Sequence, residues 1–415
     1  MRAIAWCVLL TACGGGHSGA PTHDATTVDT ASLDAPACQP LGAIGSFYRR
    51  TPNPRMISGH TFTDGLLDIS IADPDLHWDE TSATWQLYYA AGHAMTYASP
   101  STSVIRHATS ADLASWTIQD APALSASSDA AAWDHLTSET PSVAVNPSAA
   151  ADHRYLMVYS GKHGTFGYPG YAFGDYQIGA AFSADGVTYT RVAAADSPHG
   201  KDGLVLTAAD VFPSATGGIV ADPEVVYVAA TNTYHLWFSS FACTGTTCAT
   251  ISAYGISHAT SSDGIHWTTQ EAPIRTLLRT ATDPTTGGGQ PSVIYDAVHC
   301  RWEMWLHSDL ANDTSAQPIV FNNMAGVWHA TSLDGATWSV QYTGARDLEW
   351  MQSASGEHLG LLTGADVAAQ GNARYMVYSG FDDQNVPTGF YLPDRSMTGF
   401  EPGVITLNLA TRDAP

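Results

Sequence analysis

The sequence predicts an all-β fold, a five-bladed β-propeller of four-stranded antiparallel blades. Three observations predict it. A unit made of a polar residue, a Pro and an apolar strand occurs four times, with a weaker fifth copy. An aromatic-rich strand follows each copy. Turns of the form Ser-x-Asp-Gly, closed by an aromatic, follow several of them. Short strands at regular spacing with turn signals mark a repeat array.

Composition narrows the field first. The chain has 415 residues, with 16 Lys+Arg against 39 Asp+Glu and a formal charge of −23. Charged residues make up only 13%, and aromatics 10%. Binding to nucleic acid is not expected, because neutralising phosphates needs Lys/Arg clusters and none is visible. An apolar content of 44% is ample for a core. Past the first ten residues no apolar run approaches the ~18 residues that span a bilayer.

The chain opens MRAIAWCVLLTACGGG. Arg2 gives a positive start and Ala3 to Leu10 an apolar stretch, too short to span a membrane as a mature helix. Such a segment reads as an export signal, here residues 1–12. Leu10-Thr11-Ala12-Cys13 resembles a bacterial lipobox, which implies that Cys13 is lipidated and becomes the mature N-terminus. Residues 13–45 are read as a flexible tether: Gly14 to about Pro40 is rich in Gly, Ser, Thr, Ala and Asp and has no aromatic residue. Residues 46–415 hold the propeller. The location implied is the bacterial cell envelope, with a lipid anchor, or the extracellular space.

With Cys7 and Cys13 in the leader region, four cysteines remain for an oxidising compartment. Cys243 and Cys248 flank a Gly-containing loop that a disulfide would clip, and Cys38 with Cys300 is the leftover pair. No C-x-x-C spacing suggests zinc.

The repeat is explicit. The Pro units are Ala72-Asp73-Pro74-Asp75, Glu139-Thr140-Pro141-Ser142, Ala221-Asp222-Pro223-Glu224 and Gly289-Gln290-Pro291-Ser292, with Gly364-Ala365-Asp366 as the degenerate fifth. The aromatic strands begin at Trp85, Tyr155, Tyr234, Trp302 and Tyr375. The closing aromatics Trp116, Tyr189, Trp267 and Trp338 recur every seventy-odd residues. Asp-Gly pairs at 185–186, 263–264 and 334–335 suit tight turns that need positive φ. Each blade would bury its face against the next.

In such a ring the innermost strands line a central channel. Residues at the start of the Pro-containing strands would point into one axial cavity, and three of them are acids: Asp73, Glu139 and Asp222. Converging carboxylates suit glycoside hydrolysis, where one acid protonates the leaving oxygen and another activates water or attacks the sugar. Crowding like charges raises one pKa and supplies the acid. Asp75 and Glu224, two residues further on, are second choices for the pocket. Trp133 and Asp134 form a candidate substrate-contacting loop, with the Trp133 indole stacking on a sugar ring.

These features together resemble the five-bladed glycoside hydrolases of families 43 and 32 and their relatives, over roughly residues 48–409. The resemblance implies a carbohydrate substrate and casts Asp73 as general base and Asp222 as the residue that orients and tunes the acid. Family 43 carries its acidic Glu in the fourth blade, where this chain has Gly288-Gly289-Gln290-Pro291. Glu139 has the Glu-x-Pro form in the second blade, nearer the family 32 arrangement. His358 falls where the family often sets a His beside a central calcium or water. No second ligand accompanies it, so no metal and no cofactor is expected. Scattered His without an H-E-x-x-H spacing and the absence of G-x-S-x-G argue against zinc and serine hydrolases. Two readings stay open: an exported, monomeric glycosidase, and an inactive propeller that binds a glycan or a protein through the same cavity.

Overall fold

The computed structural model describes residue 38 and residues 47–50, 55–96, 101–168, 171–244, 250–270, 288–308, 326–340, 348–349, 363–381 and 405–412. They form five blades of four antiparallel strands. The innermost strands are Leu67–Asp79, Thr137–Val145, Gly217–Val228, Gly288–Asp296 and Thr363–Gln370. Each pairs with the aromatic strand that follows it. Helix is confined, among the described residues, to Ala208–Val211 and a 3-10 turn at Ala151–His153.

The fifth blade takes strands from both ends of the chain. Its order is Tyr48–Arg49, Ile405–Arg412, Ala373–Phe381 and Thr363–Gln370. Tyr48 pairs with Thr411 and Arg49 with Ala410, so an early segment closes the ring as the outermost strand of the last blade. A disulfide between Cys38 and Cys300 adds a covalent link from the segment before that strand to the fourth blade. Cys300 sits at φ 50° in the turn ahead of the strand Arg301–Ser308. Of the other expected bridge, Cys243–Cys248, the partner Cys248 lies outside the described residues, as do the Cys13 lipid site and His358.

Five separate apolar clusters fill the five interfaces between blades. Ile71, Leu76 and Trp85 of the first blade pack on Val377, Leu407 and Leu409 of the fifth. Tyr88 and Ile105 meet Met157 and Tyr159 between the first and second blades. Leu156 and Val158 meet Val220 and Leu236 between the second and third. Trp237 meets Met304 between the third and fourth, and Trp305 meets Met376 between the fourth and fifth. Burying one such side chain contributes about 1.5–3 kcal/mol, so every interface stabilises the ring.

The third and fourth strands of four blades are joined by one device. In the second blade, Ser183 Oγ accepts the N–H groups of Asp185 and Gly186 and donates to Asp185 Oδ1. Asp185 Oδ1 in turn accepts the N–H groups of Val187 and Thr188. The same bonds recur at Ser261/Asp263 and Ser332/Asp334. Gly186, Gly264 and Gly335 hold φ of 74°, 77° and 73°. In the first blade Ser110 and Asp112 make the turn without Gly, and Leu113 takes φ 59° instead. This Asp-anchored loop explains why the motif begins at Ser rather than at Asp-Gly.

The Pro units lie in the middle of the innermost strands, not at their starts. In all five blades the pairing register slips there, between Ala72 and Asp75, Glu139 and Ser142, Ala221 and Glu224, Gly289 and Ser292, and Thr363 and Asp366. Two residues thus oppose one on the neighbouring strand, a β-bulge that bends the strand and re-aims a side chain.

Candidate axial site

The bulge defines which residues are equivalent around the axis. Its first residue has positive φ in every blade: Asp73 at 49°, Thr140 at 49°, Asp222 at 51°, Gln290 at 47° and Gly364 at 53°. Thr140 is therefore the counterpart of Asp73 and Asp222. Glu139 stands one residue earlier, so the three acids do not share one repeat position. The cause is spacing from Pro: Asp73 and Asp222 directly precede it, whereas Glu139 is two residues before Pro141.

A left-handed backbone costs an L-residue roughly 1–2 kcal/mol. Hydrogen bonds from preceding blades hold it in place. The N–H groups of Asp73, Asp222 and Gln290 donate to Ser379 Oγ (3.2 Å), Ser160 Oγ (2.9 Å) and Ser239 Oγ (2.9 Å). Thr140 Oγ1 also donates to Ser160 Oγ. Each of these serines directly follows an aromatic residue of its strand, Tyr378, Tyr159 or Phe238, and Ser160 and Ser379 share the run Met-Val-Tyr-Ser-Gly.

Asp73, Thr140, Asp222, Gln290 and Gly364 surround a small axial cavity of about 40 Å³, with the bulge prolines and Glu224 and Asp366 also on its wall. Gln290 Oε1 accepts the Gly364 N–H at 3.1 Å, so its amide is tied to the fifth blade. Glu139 accepts a bond from Thr137 Oγ1 at 2.9 Å, on the same strand.

Two residues past each bulge-opening residue, a side chain reaches the next blade. Asp75 Oδ1 accepts the Val143 N–H at 3.3 Å, and Ser142 Oγ accepts that of Val225 at 3.0 Å. Glu224 Oε1 takes Val293 at 3.2 Å, Ser292 Oγ takes Val367 at 2.9 Å, and Asp366 Oδ2 takes Leu76 at 2.6 Å. The five bonds form a closed circle, one per interface. Ser142 and Ser292 donate their hydroxyls to Glu224 Oε2 (3.0 Å) and Asp366 Oδ1 (2.7 Å).

Asp75, Glu224 and Asp366 are buried and bring carboxylate oxygens within 4.8 Å of one another. Burial, then the charges of Asp366 and Asp75, push Glu224 well above the usual carboxylate range. Burial and the neighbouring Asp75 raise Asp366 to about 7. Protons retained by this cluster relieve its like-charge repulsion. The three could offer oxygen ligands to a cation; the circle of hydrogen bonds and the held protons satisfy most of their oxygens, but Asp75 Oδ2 is buried without a hydrogen-bond partner. Asp75 and Glu224, second choices for substrate contact, clasp the blades, and of the two only Glu224 is on the cavity wall. Asp366 is their third partner and was visible only as part of the weak fifth copy.

Trp133 and Asp134 are not on the cavity wall. Trp133 is 4% exposed, stacks on Tyr159 at 5.7 Å and donates Nε1–H to Asp202 O. Asp134 accepts from Tyr159 O–H and from Arg191 Nε at 2.8 Å. Gly161 and Gly179 make room for the indole, since a Cβ on either would come within 2.6 or 2.8 Å of it. Glycine inside a strand often marks such a close approach, and it was the available signal.

No protein-family model matches the chain. No curated protein matches it either. Many solved structures share its fold. BT0996 in complex with RGII aligns with a TM-score of 0.57 at 14% identity, over 88% of this chain and 92% of the other. A structure from work on mannoside phosphorylases and hydrolases of family 130 aligns with a TM-score of 0.53 at 13% identity, over 89% and 95%. A putative glycosidase from Bacteroides thetaiotaomicron gives 0.52 at 14% identity, over 88% and 96%. Propellers of glycoside hydrolases are thus the structural neighbours of this chain, which establishes its architecture.

Proposed function

We propose that this chain cleaves glycosidic bonds of a poly- or oligosaccharide at the axial cavity. The observation that carries the reading is that Asp73 and Asp222, on the first and third blades, occupy one bulge position and line one cavity. A carbohydrate target is supported by the glycoside hydrolase neighbours, among them a complex with RGII. Asp73 is the base that takes a proton from water as it attacks the anomeric carbon, or is itself the nucleophile. Glu139, next to the wall residue Thr140, is the acid that protonates the leaving oxygen. Asp222 orients the acid. Carboxyl groups about 6.5–9.5 Å apart invert the anomeric centre, and a gap of about 5 Å retains it.

A second reading is a propeller that binds a glycan or a protein without turnover. Gln290 favours it: an amide stands in the fourth blade, it cannot donate a proton as an acid, and it is bonded to Gly364. Incubation of the protein with aryl glycosides and plant and microbial polysaccharides separates the two. Release of reducing sugar supports cleavage. Binding without release across the panel supports the second reading.

Export to the cell envelope with acylation at Cys13 belongs to the same proposal, as does a monomeric state, since the ring closes on strands of its own chain. Labelling of the expressed protein with a radioactive fatty acid, lost in Cys13→Ala, tests the anchor.

A further inference from the structure

A larger cavity than the axial one lies between the first and second blades. Its volume is about 230 Å³, several waters' worth at about 30 Å³ each. Asp79, Gln86, His107, Thr109, Tyr155 and Asp185 line it. Asp79 ends the innermost strand of the first blade, six residues beyond Asp73, so the cavity is about 20 Å along that strand from the axial site.

The pseudo-symmetry of the molecule shows why it is open. Between the third and fourth blades the corresponding space holds aromatic rings. Trp237 stacks on His258 at 4.7 Å, His235 contacts His258 at 3.2 Å, and Trp302 covers His235 at 5.0 Å. Between the first and second blades Tyr88 stacks on His107 at 4.7 Å in the same way. There Gln86 replaces the His235 ring and Tyr155 replaces Trp302. The smaller groups leave room, and they face it with hydrogen-bonding atoms.

The floor is neutral and polar. Gln86 Oε1 meets His107 Nε2 at 2.7 Å, and Gln86 Nε2 donates to Thr84 Oγ1 at 2.8 Å. His107 is 2% exposed, its Nδ1 is buried without a partner, and burial followed by the nearby His77 lowers its pKa to about 4. The rim is anionic. Partial burial raises the pKa of Asp79 and Asp185, but hydrogen bonds outweigh it, from Ser82 and Thr81 in one case and from Val187 and Thr188 in the other. Both stay ionised at neutral pH. Among the described residues neither is in an ion pair with Lys or Arg.

We propose that this cavity is a second saccharide-binding site, one that takes a single uncharged sugar unit. A carboxamide, an imidazole and carboxylates bridge adjacent hydroxyl groups of a sugar, and the Tyr155 phenol offers an apolar surface to the C–H face of the ring. These carboxylates, hydrogen-bonded but in no ion pair with Lys or Arg among the described residues, repel uronic acids, a specificity set by mismatch rather than by contact. The inference stands apart from the axial chemistry and survives if that site proves inactive.

The test uses the full chain carrying Asp73→Asn and Asp222→Asn, so that the axial cavity is altered. Saturation-transfer NMR is run with the methyl glycosides of glucose, mannose, galactose, xylose and arabinose, with galacturonate, and with methylammonium. At least one neutral glycoside should bind with a Kd near 1 mM. Affinity should fall at least tenfold in Gln119→Trp, which sets an indole at a lining position of the cavity, and in the milder Thr84→Val at another. Both variants should melt within a few degrees of the parent. The proposal is overturned if no neutral glycoside binds, if binding is the same in both variants, or if galacturonate or methylammonium binds in preference.

Discussion

Gly364 of the fifth blade presses against Asp73 of the first: a Cβ on Gly364 would stand 2.7 Å from both the Cα and Oδ1 of Asp73. The fifth copy of the repeat has lost the polar residue and the Pro of the others. It has gained the one residue that lets Asp73 keep its place. Gly364→Ala should therefore displace Asp73 and strain a backbone at φ 53°. The expected result is a loss of about 1–3 kcal/mol in stability and a fall in turnover larger than that of an alanine placed elsewhere on the ring. Denaturant unfolding together with glycoside turnover measures both. Wild-type turnover in Gly364→Ala would show that the position of Asp73 is not critical.

Asp73→Asn keeps the shape of the side chain and the Ser379 bond to its backbone. Loss of a general base typically costs about 10²–10⁴-fold in rate. The expected outcome is that loss in kcat on whichever glycan the panel identifies, with an unchanged unfolding midpoint. Full activity would remove Asp73 from the reaction.

Ser160 accepts the Asp222 N–H and the Thr140 hydroxyl, two bulges on adjacent blades. Ser160→Ala leaves both without their partner in a buried setting. A destabilisation of about 1–3 kcal/mol is expected, read from urea unfolding. A change below about 0.5 kcal/mol would mean that another group takes over these donors.

The raised pKa of Asp366 has a definite sign. Its proton is bound more tightly in the folded chain, up to about pH 7, than in the unfolded chain, where an Asp titrates near 3.9. Between those values the folded state holds more protons, so stability declines as pH rises. The contribution is largest near pH 4 and has gone above pH 7. Asp263 acts the other way. Burial opposes its charge, but bonds from His266 and Ile265 prevail and bring its pKa to about 2, so its stabilisation is present above pH 4 and is lost on acidification below that. The melting temperature should be higher at pH 5 than at pH 8, and Asp366→Asn should flatten that difference. An equal or higher melting temperature at pH 8 contradicts the account.

The disulfide Cys38–Cys300 spans 262 residues. On loop-closure entropy a link of such length stabilises by at most about 5 kcal/mol. Reduction, or Cys300→Ser, should lower the melting temperature by several degrees. No change on reduction would show that the strand Tyr48–Arg49 holds without it.

Much of the architecture was legible because the repeat is written in residue types with strict backbone demands. Pro, Ser-x-Asp-Gly and the closing aromatics each mark a fixed place in a blade. The axial geometry was half legible. Asp73 and Asp222 could be matched by counting from Pro, and the same count would have set Thr140 rather than Glu139 beside them. The circle through Asp75, Ser142, Glu224, Ser292 and Asp366 could not be read, because it depends on which N–H of the next blade lies opposite. Trp133 is exposed or buried according to glycines on two other strands, a relation that no local pattern contains.

The pairing of Tyr48–Arg49 with Ile405–Arg412 sets an order of events. A ribosome or a translocase delivers the first partner hundreds of residues before the second. Until the second arrives, the outer edge of the last blade does not exist and the early strand has nothing to dock on. Folding of this chain is thus a late, long-range event, slow by the rule that distant contacts pay their entropy first. Nascent chains cut short of Ile405 should remain open and protease-sensitive, which makes the final strand the moment at which the molecule commits.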